Sequence, residues 1–105
     1  MGYRVEGSVG EFELPLGAKN GVIKLRIVPS AEYAHESSEQ GKVVRRILMV
    51  GSGGNAKLVD LDSEFFVNVA DCQSFASLLL GAKTSKMKVR VECNEKRNVE
   101  SIKTL

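Results

Sequence analysis

Residues 87–93 read Met-Lys-Val-Arg-Val-Glu-Cys, and this strict alternation is the feature that most constrains the fold. In an extended chain successive side chains point to opposite faces. Met87, Val89, Val91 and Cys93 then share one face, and Lys88, Arg90 and Glu92 the other. A helix would scatter the same apolar set around its circumference, so the segment is expected to be a half-buried strand. Residues 22–28 repeat the pattern, with Ile23, Leu25 and Ile27 opposite Lys24 and Arg26. Pro29 stops that strand because it lacks a ladder donor.

Residues 43–50, Val-Val-Arg-Arg-Ile-Leu-Met-Val, predict another strand. The Gly-Ser-Gly-Gly-Asn run over 51–55 lacks the Gly-x4-Gly-Lys-Ser/Thr spacing of a phosphate loop, so it is expected to be a hairpin turn. Residues 56–69 predict two strands, or one strand bent at Asp62-Ser63. Residues 99–105 form a closing strand, in a hairpin with 87–93 across the polar turn at 94–98. One helix is expected over 71–83. Asp71 caps it, and Cys72, Phe75, Ala76, Leu79 and Ala82 form an apolar stripe. Lys83 and Lys86 suit its negative end.

The flanking regions are less regular. Residues 3–14 are extended but interrupted by Gly7 and Gly10, and residues 1–19 read as an N-terminal extension. Asn20-Gly21 is a turn signal. Residues 30–42 are polar and without period, and are expected to be a mobile loop carrying His35 as a solvated side chain. There is no internal repeat and no linker, so residues 1–105 are taken as a single domain.

Composition narrows the classes. The chain has 105 residues, 43% hydrophobic and 27% charged, which suits one globular domain. A net charge of +2 is too mild to imply nucleic acid by itself. No run of about 18 apolar residues is present, so no membrane span is expected. No signal-peptide pattern is visible, which leaves the compartment open between the cytoplasm and secretion after signal removal. Two cysteines and one histidine cannot fill a structural zinc site. No metal or other cofactor is expected. Asp60 and Asp62, two apart, have a spacing permissive for a carboxylate pair, but such a pair is common in a strand-and-turn region, and no Ser-His-Asp or Cys-His set stands out. The reading is therefore not an enzyme.

Strands, then one helix, then a strand hairpin is the layout of an OB-fold, a five-stranded barrel with the helix plugging one end. Residues 74–83, Ser-Phe-Ala-Ser-Leu-Leu-Leu-Gly-Ala-Lys, lead into Lys88-Val89-Arg90-Val91 and then Val99-Glu100-Ser101-Ile102. This tail, over about residues 64–105, resembles that of small bacterial OB-fold proteins similar to the B subunits of AB5 toxins. The resemblance implies a mainly β chain with one helix, an OB-like five-stranded barrel preceded by the extension. The cysteines depart from the toxin pattern, in which the N-terminal region is stapled to the C-terminal strand. No sugar-binding residues carry over.

Cys72 begins the helix and Cys93 ends the next strand. The helix rises about 18 Å at 1.5 Å per residue, and the strand returns about 20 Å. The two thiols are thus expected near one level of the fold, either bonded in an oxidising compartment or buried as small apolar groups.

Charges are segregated. Asp60, Asp62 and Glu64 face Lys83 and Lys86 as a candidate head-to-tail interface between copies, or as simple compensation of the helix ends. Lys24, Arg26, Arg45, Arg46, Lys88 and Arg90 form a candidate ligand surface. The expected function is a non-catalytic binding or assembly module for a protein or glycan, with homo-oligomers in view. The alternative is a single-stranded nucleic-acid binder on the basic strand face, which normally adds stacking aromatics.

Overall fold

A computed structural model describes residues 2–12, 22–68 and 81–105. The elements in order are β1 (Tyr3–Phe12), β2 (Val22–Pro29), a 3-10 turn (Ala31–Tyr33), β3 (Ala34–Glu39), β4 (Lys42–Gly51), a second 3-10 turn (Ser52–Gly54), β5 (Ala56–Asp60), β6 (Phe65–Asn68), β7 (Lys88–Cys93) and β8 (Val99–Thr104). Residues 81–85 are helical.

β1 is the hub of one branched sheet. One edge pairs through Tyr3 and Arg4 with β4, then from Gly7 to Phe12 with β2, with a register shift between Val9 and Phe12. The other edge pairs from Tyr3 to Ser8 with β7. β2 continues to β6 and β7 to β8, while β4 carries β3 and β5. All these ladders are antiparallel. Between β6 and β8 there is a single parallel bridge, Phe66 to Asn98, where the Phe66 N–H donates to the Arg97 carbonyl at 2.9 Å.

The core follows the alternation. Ile23, Leu25 and Ile27 of β2 are buried, as are Val89, Val91 and Cys93 of β7. They join Val5, Ile47, Met49, Phe65 and Val67 in one cluster. Each such side chain gains roughly 1.5–3 kcal/mol from leaving water. The ladder hydrogen bonds fix register, so a one-residue slip would turn this whole set to solvent.

Gly7 shows why β1 can serve two partners. A Cβ there would overlap the carbonyl of Val28 and the backbone of Pro29. The missing side chain lets β1 and β2 approach closely enough to pair while β7 pairs on the far edge.

Three expectations change. The sheet has eight strands, and among the described residues its ladders do not close into a five-stranded barrel. Residues 3–12, expected within an N-terminal extension, are instead the central strand, because Gly7 permits close approach rather than breaking the strand. Residues 34–39, expected in a polar loop, are β3, held by six register partners on β4. The turn between them is Gln40-Gly41, with φ of 51° and 77°. Both central residues lie in the left-handed region that a tight two-residue hairpin requires.

Other expectations are met. Ser52–Gly54 turns β4 into β5, with Gly53 and Gly54 at φ 68° and 83°. The bend before β6 is present, with the Ser63 N–H donating to the Asp60 carbonyl at 3.0 Å. Asn94 Oδ1 accepts from the Lys96 and Asn98 N–H groups at 2.9 and 3.0 Å, which shapes the β7–β8 turn. Of the helix expected over 71–83 only the last turn falls among the described residues. Asp71, Cys72, Phe75, Ala76 and Leu79 lie outside them, as does the Asn20-Gly21 turn.

Candidate binding groove

The polar side of the sheet carries the candidate surface. On β2 the exposed residues alternate with the core set, so Lys24, Arg26 and Val28 point outward together. Ser8 of β1 stands opposite Val28 of β2 on one edge and Lys88 of β7 on the other. Directly opposed antiparallel residues share a face. Lys88, Ser8 and Val28 therefore form one row across β7, β1 and β2. The next row pairs Arg90 with Glu6. The outward residues of β1 shrink from Glu6 to Ser8 to Gly10, so its far end lies low between the longer side chains of its neighbours.

Beside this low end is an open groove of about 580 Å³. Arg26 and Val28 supply its β2 wall. Arg45 of β4, Asp60 at the end of β5 and the turn residues Leu61 and Asp62 supply the other, and Gly10 and Glu11 of β1 complete the lining, so three carboxylates stand beside two guanidinium groups. An adjoining hollow shares Val28, Arg45 and Leu61 and runs on toward Ala34 and His35. Val28 is 58% exposed and Leu61 43%, so the groove offers bare apolar surface between charges.

The six predicted basic residues separate into two kinds. Arg90 Nε lies 2.6 Å from Glu6 Oε2. Arg46, on the opposite face of β4 from Arg45, places Nη2 2.9 Å from Glu39 Oε2 and donates from Nη1 to Ser37 Oγ at 3.5 Å. Lys24, Arg26, Arg45 and Lys88 take part in neither ion pair formed among the described residues. Lys24 stands opposite Phe66 of β6, and the Arg97 guanidinium lies 5.9 Å from the Phe66 ring centre. Arg97 Nε also donates to the Glu64 carbonyl at 2.8 Å.

The predicted oligomer set is divided. Asp60 and Asp62 line the groove with Arg26 and Arg45, without forming an ion pair with either. Glu64 is half-buried beside Arg97. Lys83 and Lys86 are exposed at the helix end, where Lys86 at φ 55° closes the last turn and the Met87 N–H donates to the Ala82 carbonyl at 2.9 Å.

Cys93 is a free thiol with no exposed surface, and its Sγ lies 4.0 Å from Met49 Sδ. Burial pushes its pKa up to about 11, so it is a neutral, unreactive thiol at ordinary pH. Its proposed partner Cys72 lies outside the described residues. His35 is half-buried on β3, in register with Arg46.

Sequence reasoning missed Val28, Leu61, Ser8 and Gly10. Val28 had a readable signal: it occupies the same alternate position as Lys24 and Arg26, where a polar residue is expected. Leu61, framed by two aspartates, had none, because a single leucine in a turn carries no period. Among the described residues no cluster of His, Cys, Asp and Glu could hold a metal ion. None of the described helices is long and apolar enough to cross a membrane. Comparison with protein-family models, curated protein sequences and solved structures found no match.

Proposed function

We propose that the chain is a non-catalytic binding module that recognises another protein through the groove between β2 and the β4–β5 arm. The observation that carries this reading is the grouping of Arg26 and Arg45 with bare Val28 and Leu61 in one open groove. Charges of both signs beside exposed apolar surface suit a protein contact, with the apolar part giving affinity and the charges specificity. A glycan fits less well, because none of the described residues that line this groove carries an aromatic ring to stack on a sugar face. Assembly of copies through Asp60, Asp62, Glu64, Lys83 and Lys86 stays within the same reading.

The test is a panel of labelled peptides, glycans and single-stranded oligonucleotides, measured with the native chain and with Arg26→Glu/Arg45→Glu. Peptide binding that the double variant abolishes is the expected result. Binding indifferent to both substitutions, or chemical turnover of any ligand, would overturn the reading.

A second reading is favoured by one observation. Phe66 is a half-exposed ring flanked by Lys24 and Arg97, a small version of the stacking platform that single-strand binders use. Phe66→Ala should then weaken oligonucleotide binding at low salt, whereas unchanged anisotropy across a salt series removes this reading.

We also propose that β1, β2, β6, β7 and β8 make an OB-type barrel, with β3, β4 and β5 inserted between its second and third strands. The Phe66 to Asn98 bridge supports this, since it brings β6 alongside β8 and so returns the sheet through β7 to β1. The resemblance of residues 64–105 to AB5 toxin B subunits belongs with this proposal.

A further inference from the structure

We infer that the chain forms a homodimer in which β3 pairs edge to edge, antiparallel, with β3 of a second copy, on a two-fold axis at Ser37. This inference goes beyond the groove and does not depend on what fills it.

The first observation is the edge itself. Among the described residues β3, β5, β6 and β8 each form one strand ladder. Such an edge is normally kept from pairing with another chain by shortness, a lysine, a proline or a bulge. β5 is five residues long and carries Lys57, and β6 is four residues long and bridged to Asn98. β8 carries Lys103 and a register shift against β7. β3 has none of these devices: it has six residues, no lysine or proline, and six unbroken pairs with β4.

The second observation is which backbone groups face outward. The two-residue Gln40-Gly41 turn makes Glu39 and Lys42 a hydrogen-bonded pair, so His35, Ser37 and Glu39 direct their backbone groups at β4. Glu36 and Ser38 direct theirs away from it. The Ala34 N–H already donates to the Ala31 carbonyl. An added strand can therefore pair with both groups of a residue only at Glu36 and Ser38.

The third observation is that β3 matches itself in one register. Two antiparallel self-registers bring outward groups together over most of the strand. One sets Ala34 against Ser38 and Glu36 against itself, so it needs the Ala34 N–H and opposes two carboxylates. The other sets Glu36 against Ser38, His35 against Glu39 and Ser37 against itself. It uses the two outward residues and opposes no like charges. Within each hairpin His35 is in register with Arg46, and Glu39 with Lys42. The joined sheet then carries a row of Arg46, His35, the partner's Glu39 and the partner's Lys42. This self-match selects a second copy over an arbitrary peptide, and its two-fold symmetry closes the assembly at a dimer.

The test uses the full chain. Sedimentation equilibrium over a concentration series up to about 1 mM should show a weak monomer–dimer equilibrium, because the contact is short and polar. His35→Glu places a carboxylate opposite Glu39 twice and should weaken the dimer about tenfold. Adding Glu39→Lys should restore it. Circular dichroism reports the fold of each variant. In Ser37→Cys the two Cα atoms face each other at about 4.5 Å across the axis, within disulfide reach, so oxidation should give a covalent dimer. Ser38→Cys lies roughly 7–8 Å from its copy and should cross-link far less. The native chain, with the same Cys72 and Cys93, is the background for both. A monomer throughout the series, a folded His35→Glu variant that dimerises as the native chain does, or cross-linking no better at Ser37 than at Ser38 overturns the inference. Where His35→Glu loses the native spectrum, the two cysteine variants decide. Peptide binding at Arg26 and Arg45 is measured separately, so the groove reading stands or falls without this result.

Discussion

The sheet around β1 and the β3–β4 arm are built from the same kind of antiparallel pairing, yet they are held by different means. β7 lies between β1 and β8, and its alternate residues Val89, Val91 and Cys93 are fully buried. β3 pairs on one edge only, with β4, and has no fully buried residue. Its register rests on the Gln40-Gly41 turn and on polar contacts such as Arg46 with Glu39. Buried alternation specifies the first region, and turn geometry specifies the second. The charges do not follow that division, since each region forms one ion pair, Arg90 with Glu6 around β1 and Arg46 with Glu39 on the arm.

Placing the same substitution in both regions puts the comparison at risk. Gly7→Ala forces a Cβ into the Val28 carbonyl and should cost about 3 kcal/mol in chemical denaturation. Gly41→Ala meets open space, but holds alanine at φ 77°, and should cost only about 1 kcal/mol. Equal costs would mean that β1 does not need close approach at Gly7. Val91→Ala should lose about 2 kcal/mol through the cavity it leaves, against less than about 0.5 kcal/mol for Val43→Ala, which is 62% exposed on the arm.

The buried end of β7 also has a pH signature. The Cys93 pKa is raised in the folded state from an ordinary value of 9.0 to about 11. Folding therefore favours the protonated thiol. Its contribution is complete below about pH 9 and is lost as pH rises toward 11, since the unfolded chain ionises first. Urea midpoints should fall over that window in the native chain and fall less in Cys93→Val. The smallest effect is expected at Arg46→Ala. Glu39 is half exposed to screening solvent, so the loss should stay below about 1 kcal/mol.

This contrast also explains what was legible in the sequence. β2, β4 and β7 could be read because every second residue reaches the core. β3 could not, because Ala-His-Glu-Ser-Ser-Glu is polar on both faces, and an edge strand with little to bury leaves no period. β1 was legible as extended chain but not as the hub, since a glycine in a strand reads alike as an interruption and as a close approach. The outward direction of Lys24, Arg26, Lys88 and Arg90 followed from parity alone. Which cations were already neutralised did not, because Glu6 lies 84 residues from Arg90 and only the β1–β7 register brings them together.

The central claim is that the outer face at Arg26, Val28, Arg45 and Leu61 is where a protein partner binds. Titrating a peptide that binds in the labelled panel into isotopically labelled protein, and following backbone amide shifts by NMR, tests it most directly. The account predicts that the largest shifts cluster at Arg26, Val28, Arg45 and Leu61, with little change on β3 or at Phe66. Shifts centred instead on Lys24, Phe66 and Arg97, or spread without a cluster, would contradict it.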